Sequence, residues 1–434
     1  MCYNLWKFSR ERTFTMTDKE AIIRTAEQPN SRTAEQPNSR TCHNSVPSLR
    51  ILYVAQGMNL QGGGSFSLFN LMLDLMNRHN AEPVLLLPNE DIGCEECRRQ
   101  GIRVIIAKNY GWCGLKGALP QAKGLVKFIL NKFYCYGHIL HLISSQHFDL
   151  VHTNGMACQT GWVIAKHLGI PHVWHLREFG VNDWGVHYLY PDWYVRSKYM
   201  TTDEVVTVSR SLYEDQVNVH KYSSHANTRV IYNGLQVPDS YEKQYFQGDR
   251  VNFCITGYIS SAKNQAMALR ACEKLAELSD KFTLHIIGAV HYDYAEGAGE
   301  LRNIAESGRL KGHVKFWGFR DDVSNILRNM DVGLMLSRCE AFGRVTVEYM
   351  ANYMPVIGVD TGATPEIVLD GETGCICPLD DYDRLSELMH NFITHPELLH
   401  TMGEKGRERA VAHFSLEHNT DEIYSLYQEI LSRR

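Results

Sequence analysis

The sequence predicts an α/β protein built from two Rossmann-like halves. Three observations predict it. Leu49 to Val54 is a short apolar run, followed by the glycines Gly62 to Gly64 and a helical stretch to about His79. The same succession restarts at Val251 to Thr256, with a loop from Gly257 to Gln265 and a helix from Ala266 to Leu278. Between and after them, short apolar runs alternate with amphipathic stretches, the pattern of parallel sheets covered on both faces. Such sheets bind ligands outside the carboxyl ends of their strands.

The chain has 434 residues, enough for two or three domains, and a net charge of -5. That balance gives no reason to expect a nucleic-acid partner. Twelve cysteines are scattered through it. Cys94 and Cys97 form a CxxC without a second pair, and the others sit in apolar segments, as small buried hydrophobes do. This usage suits a reducing cytoplasm. No apolar run reaches the ~18 residues of a membrane span, and the start lacks the apolar core of a signal peptide.

Residues 1–48 differ from the rest. The unit RTAEQPNS occurs at 24–31 and again at 32–39. It is polar, carries a proline and cannot bury a core, so a disordered segment is expected; Met16 offers an alternative start. Residues 49–240 then form the first half. Its glycine turn allows close approach to a ligand and aims amides at an anion, which makes Gly63 and Gly64 candidate ligand contacts. The dinucleotide fingerprint GxGxxG is absent, which argues against a dehydrogenase.

Pro83 to Leu87 and Ile102 to Ala107 read as further strands. Residues 115–146 read as a long crossover helix with Lys116, Lys123, Lys127 and Lys132 on a solvated face; the same basic amphipathic pattern would also suit an anionic membrane surface. Phe148 to Thr153 and Pro171 to Trp174 are strands that place His152, His175, Arg177 and Glu178 at the functional edge. Arg177 and Glu178 either pair with each other or orient a second substrate. Thr202 to Val208 and Val230 to Gly234 complete this half, and 238–249 is the expected linker.

The second half, 241–413, holds the central motif. Asp331 to Ser337 reads as a buried strand, and Arg344 to Met354 as a helix stopped by Pro355. Glu340 falls in the loop between them and Glu348 about one turn into the helix. The backbone amides of Phe342, Gly343, Arg344 and Val345 are unpaired donors of a helix N-terminus, suited to phosphate. Carboxylates accept hydrogen bonds from sugar hydroxyls, so a nucleotide sugar fits both parts. Strands are also expected at Phe282 to Gly288, Val314 to Gly318, Pro355 to Val359 and Gly374 to Cys377, with a helix over 320–329. Asp381-Tyr382-Asp383 is a DxD triplet, but Asp381 stands where a helix N-cap belongs, and no metal site is expected.

The run EAFGRVTVEYMANYMPVIGVDTGATPEIVLDGETG, residues 340–374, resembles the signature of glycosyltransferase family 4, retaining enzymes of the GT-B fold. Two glutamates with seven residues between them are followed by Pro355-Val356, Gly362-Ala363, Pro365-Glu366 and Asp370 to Gly374. The resemblance extends over about residues 50–434. It implies two domains facing across a cleft, with a last helix, 414–434, crossing back to the first domain. It implies transfer of a sugar from a nucleotide diphosphate donor to a glycan or lipid-linked hydroxyl, with no cofactor and no metal. Lys263 corresponds to a cation that clamps the diphosphate. His175 would lie near the reacting sugar, with Glu340 on the sugar hydroxyls and Glu348 on the ribose. The sequence departs from the family at three places. Tyr258 replaces an arginine, so Arg344 is expected to supply the missing charge. Tyr353 stands where glycine is usual, and Ala363 replaces the second glycine of a pair. A surface-polysaccharide pathway, on the inner face of a membrane, is expected by analogy with the family. A nucleotide-sugar epimerase shares the fold and is the main alternative. A phosphorylase would need a pyridoxal lysine, for which no motif is present, and a non-catalytic relative would be expected to lack one of Glu340, Glu348 or Lys263.

Overall fold

Short apolar runs become strands where neighbouring helices cover both of their faces. The computed structural model describes residues 48–434, apart from Gln61, Gln247 and Gly248; the repeat at 24–39 lies outside the described residues. In chain order the strands of the first half are β1 (Arg50–Val54), β2 (Glu82–Leu87), β3 (Arg103–Ile106), β4 (Cys113–Gly114), β5 (Leu150–Asn154), β6 (His172–Leu176), β7 (His187–Tyr188), β8 (Glu204–Thr207) and β9 (Thr228–Val230). Seven of them form a parallel sheet in the order β3-β2-β1-β5-β6-β8-β9, while β4 and β7 pair as a small antiparallel ribbon. The second half contributes β10 (Val251–Thr256), β11 (Phe282–Ile287), β12 (Val314–Gly318), β13 (Val332–Met335), β14 (Val356–Val359) and β15 (Gly374–Cys377). They form a parallel sheet in the order β12-β11-β10-β13-β14-β15.

Alternation along β1 divides the first core. Ile51 and Tyr53 pack with Leu68, Leu71 and Leu75 of the helix Gly63–His79 and with Ile423, Leu426 and Tyr427 near the C-terminus. Leu52 and Val54 face the other way, onto Ile139, Ile143, Ile164 and Ala165. In the second half, Phe253 and Ile255 pack on the helices Gln265–Leu278 and Tyr382–Thr394. On the opposite face Cys254 joins Val347, Tyr349 and Met350 of the helix Arg344–Ala351.

The last helix, Leu416–Ser432, returns to the first half as expected. Its approach demands Gly234, because a Cβ there would collide with the Cα of Leu416 and the side chain of Asn419. Asp421 pairs with Arg78 at 2.8 Å, and Glu429 with Arg229 at 3.0 Å. The buried hydroxyl of Tyr427 meets Tyr53 Oη at 3.1 Å and His152 Nδ1 at 2.6 Å.

The segment after β9 is anchored rather than loose. Lys243 Nζ donates to the carbonyls of Leu327, Arg328 and Met330, closing the C-terminal end of the short helix Val323–Leu327. Burial pushes its ammonium down to about 8.

Several expected boundaries move. The stretch 115–146 is two helices, Ala118–Leu130 and Tyr136–Ile143, joined by one wider turn at Asn131–Cys135. Asn131 exchanges hydrogen bonds with the backbone of Tyr110 there. The helix expected over 320–329 shrinks to Val323–Leu327. The helix expected to reach Met354 ends at Ala351, because Tyr353 takes a left-handed conformation with φ 60. That is the conformation glycine adopts freely, which accounts for the usual glycine at this place. Tyr353 is held by Arg407 over its ring at 5.1 Å and by Tyr241 edge-on at 5.2 Å.

Tyr427→Phe removes the hydroxyl shared by two buried partners. We expect a loss of about 1–3 kcal/mol, read as a lower urea midpoint with an unchanged slope. An unchanged midpoint would show that the returning helix is not fastened at this point.

Candidate active site

Two loops at the carboxyl ends of neighbouring strands, β10 and β13, build the first half of the site. Glu340 follows β13. Its carbonyl accepts from Ala363 N at 2.9 Å, and Gly362, at φ +53, presses so close that any Cβ would strike the Glu340 backbone. Gly362 therefore answers a steric demand. Ala363 sits at φ -81, where alanine is at ease, so the departure from a glycine pair costs nothing. Lys263, after β10, runs its stem past Gly257 and donates from Nζ to Glu340 Oε2 at 2.6 Å. Both side chains keep partial exposure, 31% and 21%.

Gly343, at φ 80, turns the chain into the helix Arg344–Ala351, and no side chain caps that helix. Its first amides are thus left for another acceptor. The ring of Phe342 is buried against Tyr232 and Phe414, so Phe342 offers a ligand its backbone alone. Val345 is half-buried. Arg344 Nη2 donates to Glu348 Oε1 at 3.2 Å. Burial raises the Glu348 carboxyl, and the Arg344 charge opposes that rise.

The other half supplies a facing surface. Gly63 and Gly64 are not in a loop; they form the first turn of the helix Gly63–His79. A Cβ on Gly63 would lie 3.7 Å from Arg344 Cδ, and one on Gly64 3.5 Å from Arg177 Cδ. Arg344 also lies over the ring of Phe66, 4.7 Å from its centroid. Arg177 donates to Asn154 Oδ1 at 2.5 Å, to Asn233 Oδ1, and to His175 Nδ1 at 3.4 Å. Burial brings its guanidinium down to about 10, with the Arg344 charge acting in the same sense.

The histidines need correction. Strand β6 runs on to Leu176 and β5 to Asn154, so His175 and His152 lie inside strands rather than at an open edge, and both are fully buried. Their rings are 5.3 Å apart. His152 is bound to Tyr427, and Nε2 of each ring has no partner. Glu178 does not pair with Arg177. It accepts from Met156 N at 2.5 Å, in the turn after β5.

Residues 238–409 match the model of the family described as glycosyl transferases group 1, and residues 94–237 match that of glycosyltransferase family 4. The two matches adjoin and together take in well over half of the chain. This chain belongs to the group 1 glycosyltransferases. Solved GT-B neighbours agree on the fold. HepE of Anabaena in complex with UDP aligns with a TM-score of 0.72 and 18% identity, over 88% of this chain and 100% of that one. Sucrose-phosphate synthase of Thermosynechococcus elongatus aligns at 0.69 and 18% identity, over 89% and 100%. Among curated relatives, the N-acetyl-alpha-D-glucosaminyl L-malate synthase of Bacillus anthracis is 32% identical over 28% of this chain and 32% of its own. The lipopolysaccharide core biosynthesis mannosyltransferase LpcC of Rhizobium leguminosarum is 26% identical over 40% and 50%. This chain thus spans about a third to a half of the length of such relatives.

Within this group 1 glycosyltransferase, the site gathers Lys263, Glu340, Arg344 and Glu348 with Gly63, Gly64 and Arg177. Tyr258, in place of the family arginine, is half exposed and meets His291 edge-on. Phe66, Asn154 and Asn233 escaped the sequence reading; the positions of Asn154 at the end of β5 and Asn233 after β9 were the available signals. Glu366 was part of the motif, but its structural task was not expected. Its carboxylate accepts from Arg210 N at 2.7 Å, Ser211 N at 2.6 Å and Tyr232 Oη at 3.1 Å, so it caps a first-half helix, Arg210–Glu214, from the second half. Cys94 and Cys97 are buried on the helix Cys94–Arg99 with thiols raised by burial. No metal-holding cluster of three ligands occurs among the described residues. Asp381 caps its helix through Arg384 N at 2.9 Å.

Burial holds His152 and His175 well below the ordinary histidine value, and His172 at about 3. The unfolded chain binds these protons near pH 6.5 and the folded chain does not. Stability is therefore full above pH 6.5 and falls as the pH drops below it, by up to about 4 kcal/mol per unit for three groups. Melting temperatures between pH 7.5 and 5 should show this decline; a flat profile would mean that the rings accept protons while folded.

Proposed function

We propose that this chain is a retaining glycosyltransferase. It would move a sugar from a nucleotide diphosphate sugar to a hydroxyl of a glycan or lipid-linked acceptor, in polysaccharide biosynthesis, and without a metal. The observation that carries the reading is the short turn bracketed by two acid–base pairs, Lys263–Glu340 and Arg344–Glu348. A neighbouring fold crystallised with UDP-glucose supports a nucleotide sugar as donor.

Each group has a chemical task in this reading. The bond from the anomeric carbon to the diphosphate breaks, and its electron pair stays on the diphosphate. Lys263, the amides of Phe342 to Val345 and Arg344 face that growing charge, and preorganised positive groups are the strongest catalytic device available here. The acceptor oxygen bonds to the same face of the sugar, and its proton leaves with the diphosphate. Glu340, released from Lys263, takes sugar hydroxyls, and Glu348 takes the ribose. His175 is neutral and has one unclaimed nitrogen for a hydroxyl, but its ring is covered. Reaching the sugar therefore requires the loops above it to shift as the halves close. His152, Arg177 and Glu178 belong to the acceptor side.

Lys263→Ala and Arg344→Ala should each lower turnover by about 100-fold or more. Near-normal turnover of Arg344→Ala would end its role as the substitute for the family arginine. Release of nucleoside diphosphate that depends on an added acceptor separates this activity from an epimerase. A panel of nucleotide sugars screened by thermal shift would name the donor, because the bound donor raises the melting point.

The acceptor's setting is part of the same proposal. Residues 97–148 contain eight lysines and arginines and no aspartate or glutamate, in a chain of net charge -5. Leu119, Leu125, Val126, Phe133 and Tyr134 are exposed among them, while Ile139 and Ile143 are buried. This combination suits an anionic bilayer surface; no helix of the described residues is long and apolar enough to cross one. The chain should sediment with phosphatidylserine vesicles and not with phosphatidylcholine vesicles, and Phe133→Ser with Tyr134→Ser should weaken that binding. Equal recovery with both vesicles would remove the membrane from the account.

A further inference from the structure

The first half holds a cavity of about 240 Å³ whose lining includes neither Lys263 nor Glu340. Tyr188, Asp192, Gln216, His220 and Tyr222 line it, over a base that includes Met156 and Phe179. The Tyr188 and Tyr222 rings meet edge to face at 5.2 Å, and His220 stacks on Tyr222 at 5.3 Å. Tyr222 Oη donates to Asp192 Oδ1 at 3.3 Å. Gln216 is 4% exposed; its Nε2 donates to Asp215 Oδ2 at 3.2 Å, and its Oε1 is buried with no partner.

These walls define a ligand. Flat rings favour the C–H face of another ring. A carboxylate and an orphaned amide oxygen ask for hydroxyl donors, since a buried acceptor left unpaired costs about 1–3 kcal/mol. Neither lysine nor arginine lines the cavity, so an anionic group finds no permanent cation there and meets the Asp192 carboxylate instead. Its volume lies below the ~300–1,000 Å³ of drug-sized sites, which leaves room for one ring.

Its position ties it to the transfer site. Met156 and Phe179 belong to the same apolar cluster as Ala341 and Phe342, which follow Glu340, with Cys339 packed against it. The backbone N–H of Met156, in the cavity wall, donates to Glu178 Oε1 at 2.5 Å, and the neighbouring Arg177 passes Gly64 at the transfer site. We infer that this cavity is the acceptor subsite and receives the terminal ring of a neutral, unphosphorylated sugar, an assignment that rests on the transfer reaction proposed above.

The test uses the full chain and saturation-transfer NMR. The probes are methyl glycosides of the common hexoses, the matching hexose 6-phosphates, and UDP, GDP and ADP. At least one methyl glycoside should bind saturably, with its 6-phosphate counterpart at least about tenfold weaker. Asp192→Asn, at an exposed position, and Gln216→Leu should each weaken the glycoside about tenfold. Both should leave nucleoside diphosphate binding unchanged and melt cooperatively. The subsite is overturned if no glycoside binds while a nucleoside diphosphate does, if the 6-phosphate binds as tightly, or if neither substitution matters. Failure of all three nucleoside diphosphates to bind would strike the transfer reaction itself, and with it the acceptor role of the cavity.

Discussion

The contact between Lys263 Nζ and Glu340 Oε2, at 2.6 Å, is the interaction on which the site depends. Its partners come from loops after β10 and β13, which are neighbours in the sheet. Parallel pairing of those strands brings both loops to one edge, where Gly362 and Gly343 wedge Glu340 from behind and beside. A partly exposed ion pair of this kind contributes about 0–1 kcal/mol. It fixes two opposite charges in place at little cost to their separation. A sugar diphosphate presents a partner for each, phosphate for the lysine and hydroxyls for the carboxylate.

A second constraint acts across the cleft. Arg344, from one half, reaches over Phe66 and beside Gly63, and Arg177, from the other, passes Gly64. Bare glycines at the start of the helix Gly63–His79 let two guanidiniums approach one helix N-terminus. Burial is the main reason the Arg177 guanidinium is lowered, and the like charge of Arg344 adds to the fall. Asn154 and Asn233 satisfy its donors without neutralising it. An anion between the halves would relieve the repulsion. Glu366 and the returning helix hold the halves together outside this charged zone.

The strands were legible because each is an apolar run buried on both faces, and the β10 and β13 loops follow from them. The loops that carry Lys263 and Glu340 were legible because each follows a buried strand, while the tasks expected of Lys263, Glu340 and Glu348 came from the family resemblance. The histidines were misplaced for a related reason: β5 and β6 each run past the expected end, and one or two residues decide whether a side chain meets solvent or the sheet interior. Nothing local announces that His152 will meet Tyr427, 275 residues away. Glu366 was visible as part of a motif, but its task of capping a helix of the other half depends on how the halves meet. The left-handed Tyr353 shows the converse, a backbone demand met by tertiary packing where sequence preference would choose glycine.

Affinity for a sugar-free nucleoside diphosphate, measured by calorimetry for Lys263→Met and for Glu340→Gln, tests the exchange of partners most directly. The two variants should respond in opposite directions. Loss of the lysine should weaken binding by about tenfold or more, since a charged hydrogen bond to phosphate is lost. Loss of the carboxylate charge should leave binding intact or tighten it, since Lys263 is then free. Equal weakening in both variants would contradict the exchange of partners.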